Sequence, residues 1–221
     1  MLPGLCNFRP VTPTRIGTVA FLICIAGTIA SVPLLLLARA AASKGGYAVM
    51  LVDPRYQWAG VIVTLSTVME AVGFGAVAYL LRVFSRVGAW LAFGALLVAS
   101  LIVAVANSME LWNSFLSQNN ATVAYDSTVF SLMTLAIFPL QMVGLGIFGG
   151  LLLARRETLF GVACLLGVAE TLFALYCMAG VDTSLQLNIL WVEMTYKIGL
   201  CIVAFLWLRS QRATAMAMKK R

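Results

Sequence analysis

Glu193 and Lys197 stand four residues apart in WVEMTYKIGLCIVAFLWL, residues 191–208, a run that is otherwise apolar and long enough to cross a bilayer. On a helix that spacing puts acid and base on one face, in the order that favours their attraction. Within hydrocarbon, ionisable groups mark proton relays, counter-ions for a charged ligand, or a general acid and base. Three other apolar runs carry a polar residue of the same kind: Glu70, Gln141 and Glu170. Counting about 1.5 Å per residue from the outer end of each run, Lys197 lies roughly 14 Å deep, and those three fall within about one turn of its level. Glu193 lies one turn further out. An ionised side chain facing lipid costs at least about 2.5 to 3.5 kcal/mol, so these groups are expected to meet inside a bundle. If Glu70, Glu170 and Glu193 were all ionised, Lys197 would balance one of them, leaving two negative charges without a partner in a low dielectric.

The faces that carry these residues agree with an inward orientation. Ser66, Thr67, Glu70 and Gly73 cluster on one run, and Ala163, Gly167, Glu170, Ala174 and Cys177 make a small-residue stripe on another. Small residues let helix backbones approach. Asn107 and Glu110, followed by Ser114 and Ser117, continue a polar stripe past the end of a third run and are outer-vestibule candidates. Pro139 lacks an N–H and crowds the carbonyl of Leu135, so a helix break is expected two residues before Gln141.

These residues need a membrane scaffold. The chain of 221 residues is 62% hydrophobic and 10% charged, too little polar surface to coat a soluble globule. Apolar runs near 15–38, 58–81, 88–112, 127–153, 159–179 and 188–208 predict an all-α, polytopic six-helix transmembrane bundle forming a single integral membrane domain over 1–221, with a basic tail at 209–221. The net charge of +7 follows this topology. With both termini cytoplasmic, the inner segments hold Arg9, Arg15, Arg82, Arg86, Arg155, Arg156, Arg209, Arg212, Lys219, Lys220 and Arg221, and the outer loops hold only Arg39, Lys44 and Arg55. That bias is the positive-inside rule, and it directs the basic residues to anionic headgroups instead of nucleic acid. Trp58, Trp112 and Trp191 fall at outer ends of runs, and Trp90 and Trp207 at inner ends, where amphipathic rings prefer to sit.

Other chemistries are not supported. The five cysteines show no C-x-x-C spacing and the chain has no histidine, so no metal site and no haem or other cofactor is expected; Cys6, Cys24, Cys164, Cys177 and Cys201 read as small packing residues. GLGIFG, residues 144–149, matches a dinucleotide-binding pattern by letter, but it lies within an apolar run instead of between a strand and a water-facing helix end. Gly146 and Gly150 form G-x-x-x-G there, which predicts close helix packing.

Arg15-Ile16-Gly17 opening the first run, Leu80-Leu81-Arg82 closing the second, LLLAR ending the fourth and Leu166-Gly167 in the fifth resemble the domain-of-unknown-function 4386 group of small bacterial membrane proteins. The resemblance implies a multi-pass protein of the bacterial inner membrane and supplies no activity or site residue. From the residues themselves, two functional classes fit the polar level: a binder or proton-coupled transporter of a small hydrophobic or ionic solute, and an intramembrane enzyme using glutamates as acid and base on a lipid or isoprenoid. A structural or accessory subunit, in which the polar network only fixes helix register, competes with both. The residues favour a non-enzymatic role over the enzyme.

Overall fold

A computed structural model of the chain describes residues 11–45, 53–118, 127–179 and 183–219. It forms six helices: α1 Val11–Gly45, α2 Pro54–Leu81, α3 Arg86–Gln118, α4 Ser127–Ala154, α5 Thr158–Ala179 and α6 Thr183–Lys219. No strand occurs among the described residues. Helix is the form a lone segment must take in lipid, because it satisfies its own backbone groups. Five of the six, α1 to α5, are long and apolar enough to cross a membrane. The described part of α6, which carries Glu193, Lys197 and Arg209, has no such stretch.

Helix ends follow local chemistry. Asp53 caps α2 by accepting from the Arg55 N–H at 2.8 Å, with Pro54 at the first helical position, where its missing donor costs nothing. The Arg55 side chain also grips Asp53, at 2.6 Å between Nη2 and Oδ2, and that hydrogen bond holds the Asp53 carboxyl below its ordinary range. Between α2 and α3, Ser85 accepts from the Gly88 N–H at 3.2 Å. Between α4 and α5 the chain reverses at Arg156, whose φ of 63° lies in the left-handed region usually given to glycine. There Glu157 N–H donates to Leu152 O and Arg156 N–H to Leu153 O, both at 2.9 Å, the paired bonds of a Schellman turn.

Each helix packs chiefly on its neighbours in sequence, and α6 closes back on α1, so the six form a ring. The half of the ring nearest the short turns at 82–85 and 155–157 holds most of the buried apolar core. Phe21, Phe74 and Phe148 cross it in a row, Phe21 edge-on to Phe74 and Phe74 stacked on Phe148, each with centroids 5.5 Å apart. Cys24 and Cys201 touch beside them, Sγ to Sγ at 3.5 Å, and with Cys164 they are buried and free, as packing residues should be. Trp207 departs from the expected interfacial position: it is buried in this core against Phe160, centroids 5.4 Å apart, because α6 turns it toward the ring. Trp58, Trp90 and Trp112 are exposed.

Two expectations for α4 are corrected. It is helical without interruption through Pro139, since losing one intrahelical bond does not unwind a helix whose remaining bonds have no competitor in lipid. Nor do Gly146 and Gly150 make its close contacts: a Cβ at Gly150 would meet nothing within 4 Å, and one at Gly146 would sit 3.8 Å from Val168, ordinary contact. The close approaches are at Gly144, where a Cβ would come 2.6 Å from Leu96 Cγ and 3.0 Å from the Ala92 carbonyl on α3, and at Gly149, 3.1 Å from the Gly161 carbonyl on α5. Leu96 is buried and cannot swing clear. Gly144→Ala is therefore expected to lower unfolding free energy by about 1 to 3 kcal/mol, the cost of overpacking. Gly150→Ala should be neutral or stabilise by up to about 1 kcal/mol through helix propensity. Detergent-titrated unfolding of the two variants compares them directly, and equal effects would place the packing face wrongly.

Candidate functional site

Beyond the aromatic row, on the side away from the short turns, the ring encloses a cavity of about 150 Å³. All six helices contribute to its wall. α2 supplies Thr67, Glu70 and Phe74; α4 supplies Gln141 and Leu145; α5 supplies Glu170 and Thr171; α6 supplies Glu193, Met194, Tyr196, Lys197 and Leu200; α1 and α3 add Thr28, Leu35, Ala99, Ser100 and Val103. Glu70, Gln141, Glu170 and Lys197, placed at one level by counting along four apolar runs, line a single space together with Glu193.

The charges are arranged across the ring. Lys197 Nζ lies 3.0 Å from Glu70 Oε2 and donates to Thr67 Oγ1 at 2.9 Å. Its partner is therefore on α2, one turn from Thr67, and not Glu193 on its own helix. Both side chains of the pair are largely buried, 17% and 19% exposed, so the pair is shielded and its desolvation must be offset by the direct bonds. Glu170, Glu193 and Gln141 have no hydrogen-bond or ion-pair partner among the described residues; all three line the cavity, Glu193 exposed and the other two half-buried.

The hydroxyls share one habit. Thr67 donates to Val63 O at 3.0 Å, Thr28 to Cys24 O at 2.8 Å and Thr171 to Gly167 O at 2.7 Å, each back to its own helix. Tyr196 donates to Ala163 O at 3.0 Å, crossing from α6 to α5. It lies directly over Gly167, where any Cβ would collide with the phenol oxygen. With their protons committed to backbone carbonyls, these four oxygens present lone pairs.

The remaining candidates lie elsewhere. Asn107 donates to Thr64 Oγ1 at 3.2 Å and ties α3 to α2 one turn beyond Val103, outside the cavity wall. The side chain of Glu110 is outside the described residues, as are Cys6 and the side chains of Cys177 and Trp191. Pro139 is exposed, and neither it nor Gly146 or Gly150 lines the cavity. No group of His, Cys, Asp and Glu suited to a metal ion occurs among the described residues.

Sequence reasoning placed no weight on Tyr196, Thr171, Ser100, Thr28 or Phe74 as site residues. Tyr196 and Thr171 were legible as chain neighbours of Lys197 and Glu170, but a hydroxyl in an apolar helix carries no mark of which way it faces. No protein family matches the chain, and no curated protein or solved structure does.

Proposed function

We propose that the chain is a six-span protein of the bacterial inner membrane, both ends in the cytoplasm, that binds a small solute in the charged cavity and passes it across the bilayer with or against protons. The observation that carries the reading is the Glu70–Lys197 pair, which joins α2 to α6 at the edge of an empty volume instead of within packed protein. A network serving only to fix register needs no space beside it. Ionisable groups at mid-depth around a cavity are the usual furniture of ion and solute pathways. The orientation rests on the cations: Arg82, Arg86, Arg155 and Arg156 flank the two short turns, which the positive-inside rule puts in the cytoplasm against anionic headgroups. The resemblance to the 4386 group agrees with that membrane. The aromatic half then faces the cytoplasm, and the cavity is reached from outside.

Accessibility tests this. Ser100 lines the cavity and its neighbour Leu101 is exposed on the outside of the ring. In right-side-out vesicles Ser100→Cys should react with the membrane-impermeant thiol reagent MTSET at least tenfold faster than Leu101→Cys, with the parent protein as the control for native thiols. In inside-out vesicles it should react at least tenfold more slowly than in right-side-out vesicles, as for a carrier that rests open to the outside. Ser100→Cys sealed from both faces would favour the accessory-subunit reading, in which the ion pair only sets register.

A further inference from the structure

The cavity's chemistry is one-sided, and this gives the solute a class. Three carboxylates, Glu70, Glu170 and Glu193, face it with one ammonium, Lys197, which is already engaged by Glu70 and Thr67. The hydroxyls do not restore the balance. Thr28 and Thr171, 3% and 2% exposed, both line the space, and each has already given its proton to its own helix, as has Thr67; Tyr196 has given its proton to Ala163. Gln141, with an amide that both donates and accepts, and the Ser100 hydroxyl also line the space; beyond these two the wall offers lone pairs and negative charge. An acceptor-rich pocket in low dielectric is complementary to a cation that carries N–H donors, because an anion or a pure acceptor would leave these oxygens unmatched and add like charge. Size narrows the class further. About 150 Å³ is the volume that holds a benzene-sized molecule. Leu35, Val63, Val103 and Leu145 give the apolar wall for such a body, and Phe74 and Tyr196 also line it.

We infer that the cavity takes a small primary ammonium ion with an apolar body of about one ring, its nitrogen held by Glu170 and Glu193 with the Thr28 and Thr171 oxygens, its body against the aliphatic wall. This rests on the solute-binding reading above. Glu70 is left to Lys197, so the two unpartnered carboxylates are the ones the ligand compensates.

Three probes of nearly one shape separate charge from fit: benzylammonium, benzyl alcohol and benzoate, each titrated by calorimetry at pH 7 into the full-length protein in detergent micelles. Benzylammonium should bind at least tenfold tighter than benzyl alcohol, and benzoate should not bind. Glu170→Gln and Glu193→Gln should each weaken benzylammonium by tenfold or more and leave benzyl alcohol within about twofold, an internal check that the variant is folded. Benzyl alcohol or benzoate binding as tightly as benzylammonium to the parent protein overturns the ammonium class while leaving a solute cavity in place. Tight benzylammonium binding that neither variant weakens overturns the assignment of the two carboxylates. Failure of all three probes to bind, with Ser100→Cys sealed, overturns the cavity reading itself; failure with Ser100→Cys open overturns the ammonium class alone.

Discussion

Lys197→Met is expected to lower the unfolding free energy by about 3 to 5 kcal/mol, the loss typical when one partner of a buried ion pair is deleted. The ammonium sits 3.0 Å from Glu70 Oε2 and 2.9 Å from Thr67 Oγ1, at a depth from which a lysine cannot reach water along its own helix. Replacing it by a methionine of similar length keeps the packing and leaves three carboxylates around the cavity with no cation. Glu70→Gln alone should also destabilise, by a smaller amount, since an unpaired ammonium retains the Thr67 oxygen and two other acids within the same cavity. The double variant, Lys197→Met with Glu70→Gln, should recover part of the loss, with a coupling energy of about 1 to 3 kcal/mol. Lys197→Met with Glu193→Gln should show less coupling, because Glu193 does not touch the lysine. Reversible unfolding in mixed micelles, followed by tryptophan fluorescence, gives all four corners of each cycle. A Lys197→Met protein as stable as its parent would mean that water solvates the ammonium, and the buried pair would lose its structural role. If Glu193→Gln rescues better than Glu70→Gln, the direct partner is on α6 and the cross-ring pair is wrong.

The polar level was legible because lipid removes alternatives. A Glu, Gln or Lys in an apolar run has to face protein, and its depth follows from counting along the run, so Glu70, Gln141, Glu170 and Lys197 could be brought together before any helix was packed. The pairing was not legible. Glu193 is the acid nearest Lys197 in sequence and on the same helical face, yet Glu70 holds the contact, because ring closure of α6 onto α1 points that face across to α2. The same limit applies to the glycines of α4. Gly144, Gly146, Gly149 and Gly150 occupy several faces within two turns, and G-x-x-x-G spacing cannot tell which face meets a neighbour; the register with Leu96 and Gly161 decides it. Trp207 fits an interfacial girdle by position and a core by orientation, and only the latter depends on how α6 is turned. The direction in which the threonine hydroxyls donate was likewise hidden, although Ser and Thr in apolar helices commonly bond back to their own carbonyls. That detail gives the cavity its acceptor character.

Phe148→Ala is expected to be the other large change. The ring is fully buried and stacks on Phe74 with planes 20° apart, and Phe74 in turn lines the cavity. Burying an aromatic ring from water is part of what makes Phe→Ala cost about 3 to 5 kcal/mol in soluble cores. In a bilayer the unfolded helix stays in hydrocarbon, so that part shrinks, and lost packing and ring stacking remain. A loss of about 3 kcal/mol, the low end of the soluble range, is therefore expected. Phe148→Leu, which keeps most of the volume, should cost under about 1.5 kcal/mol. The deletion should also change access. The Phe21–Phe74–Phe148 row stands between the cavity and the turns at 82–85 and 155–157, and removing one ring leaves a hole that Leu152, itself buried and packed, does not fill. In the Ser100→Cys background, Phe148→Ala should therefore speed MTSET labelling from the face carrying the basic turns at least tenfold over the Ser100→Cys protein alone, while Phe148→Leu should leave it unchanged. Destabilisation without new labelling would make the aromatic row a core element only and place the seal elsewhere. Labelling from that face as fast before the substitution as from the opposite face would show that the row never closed the cavity.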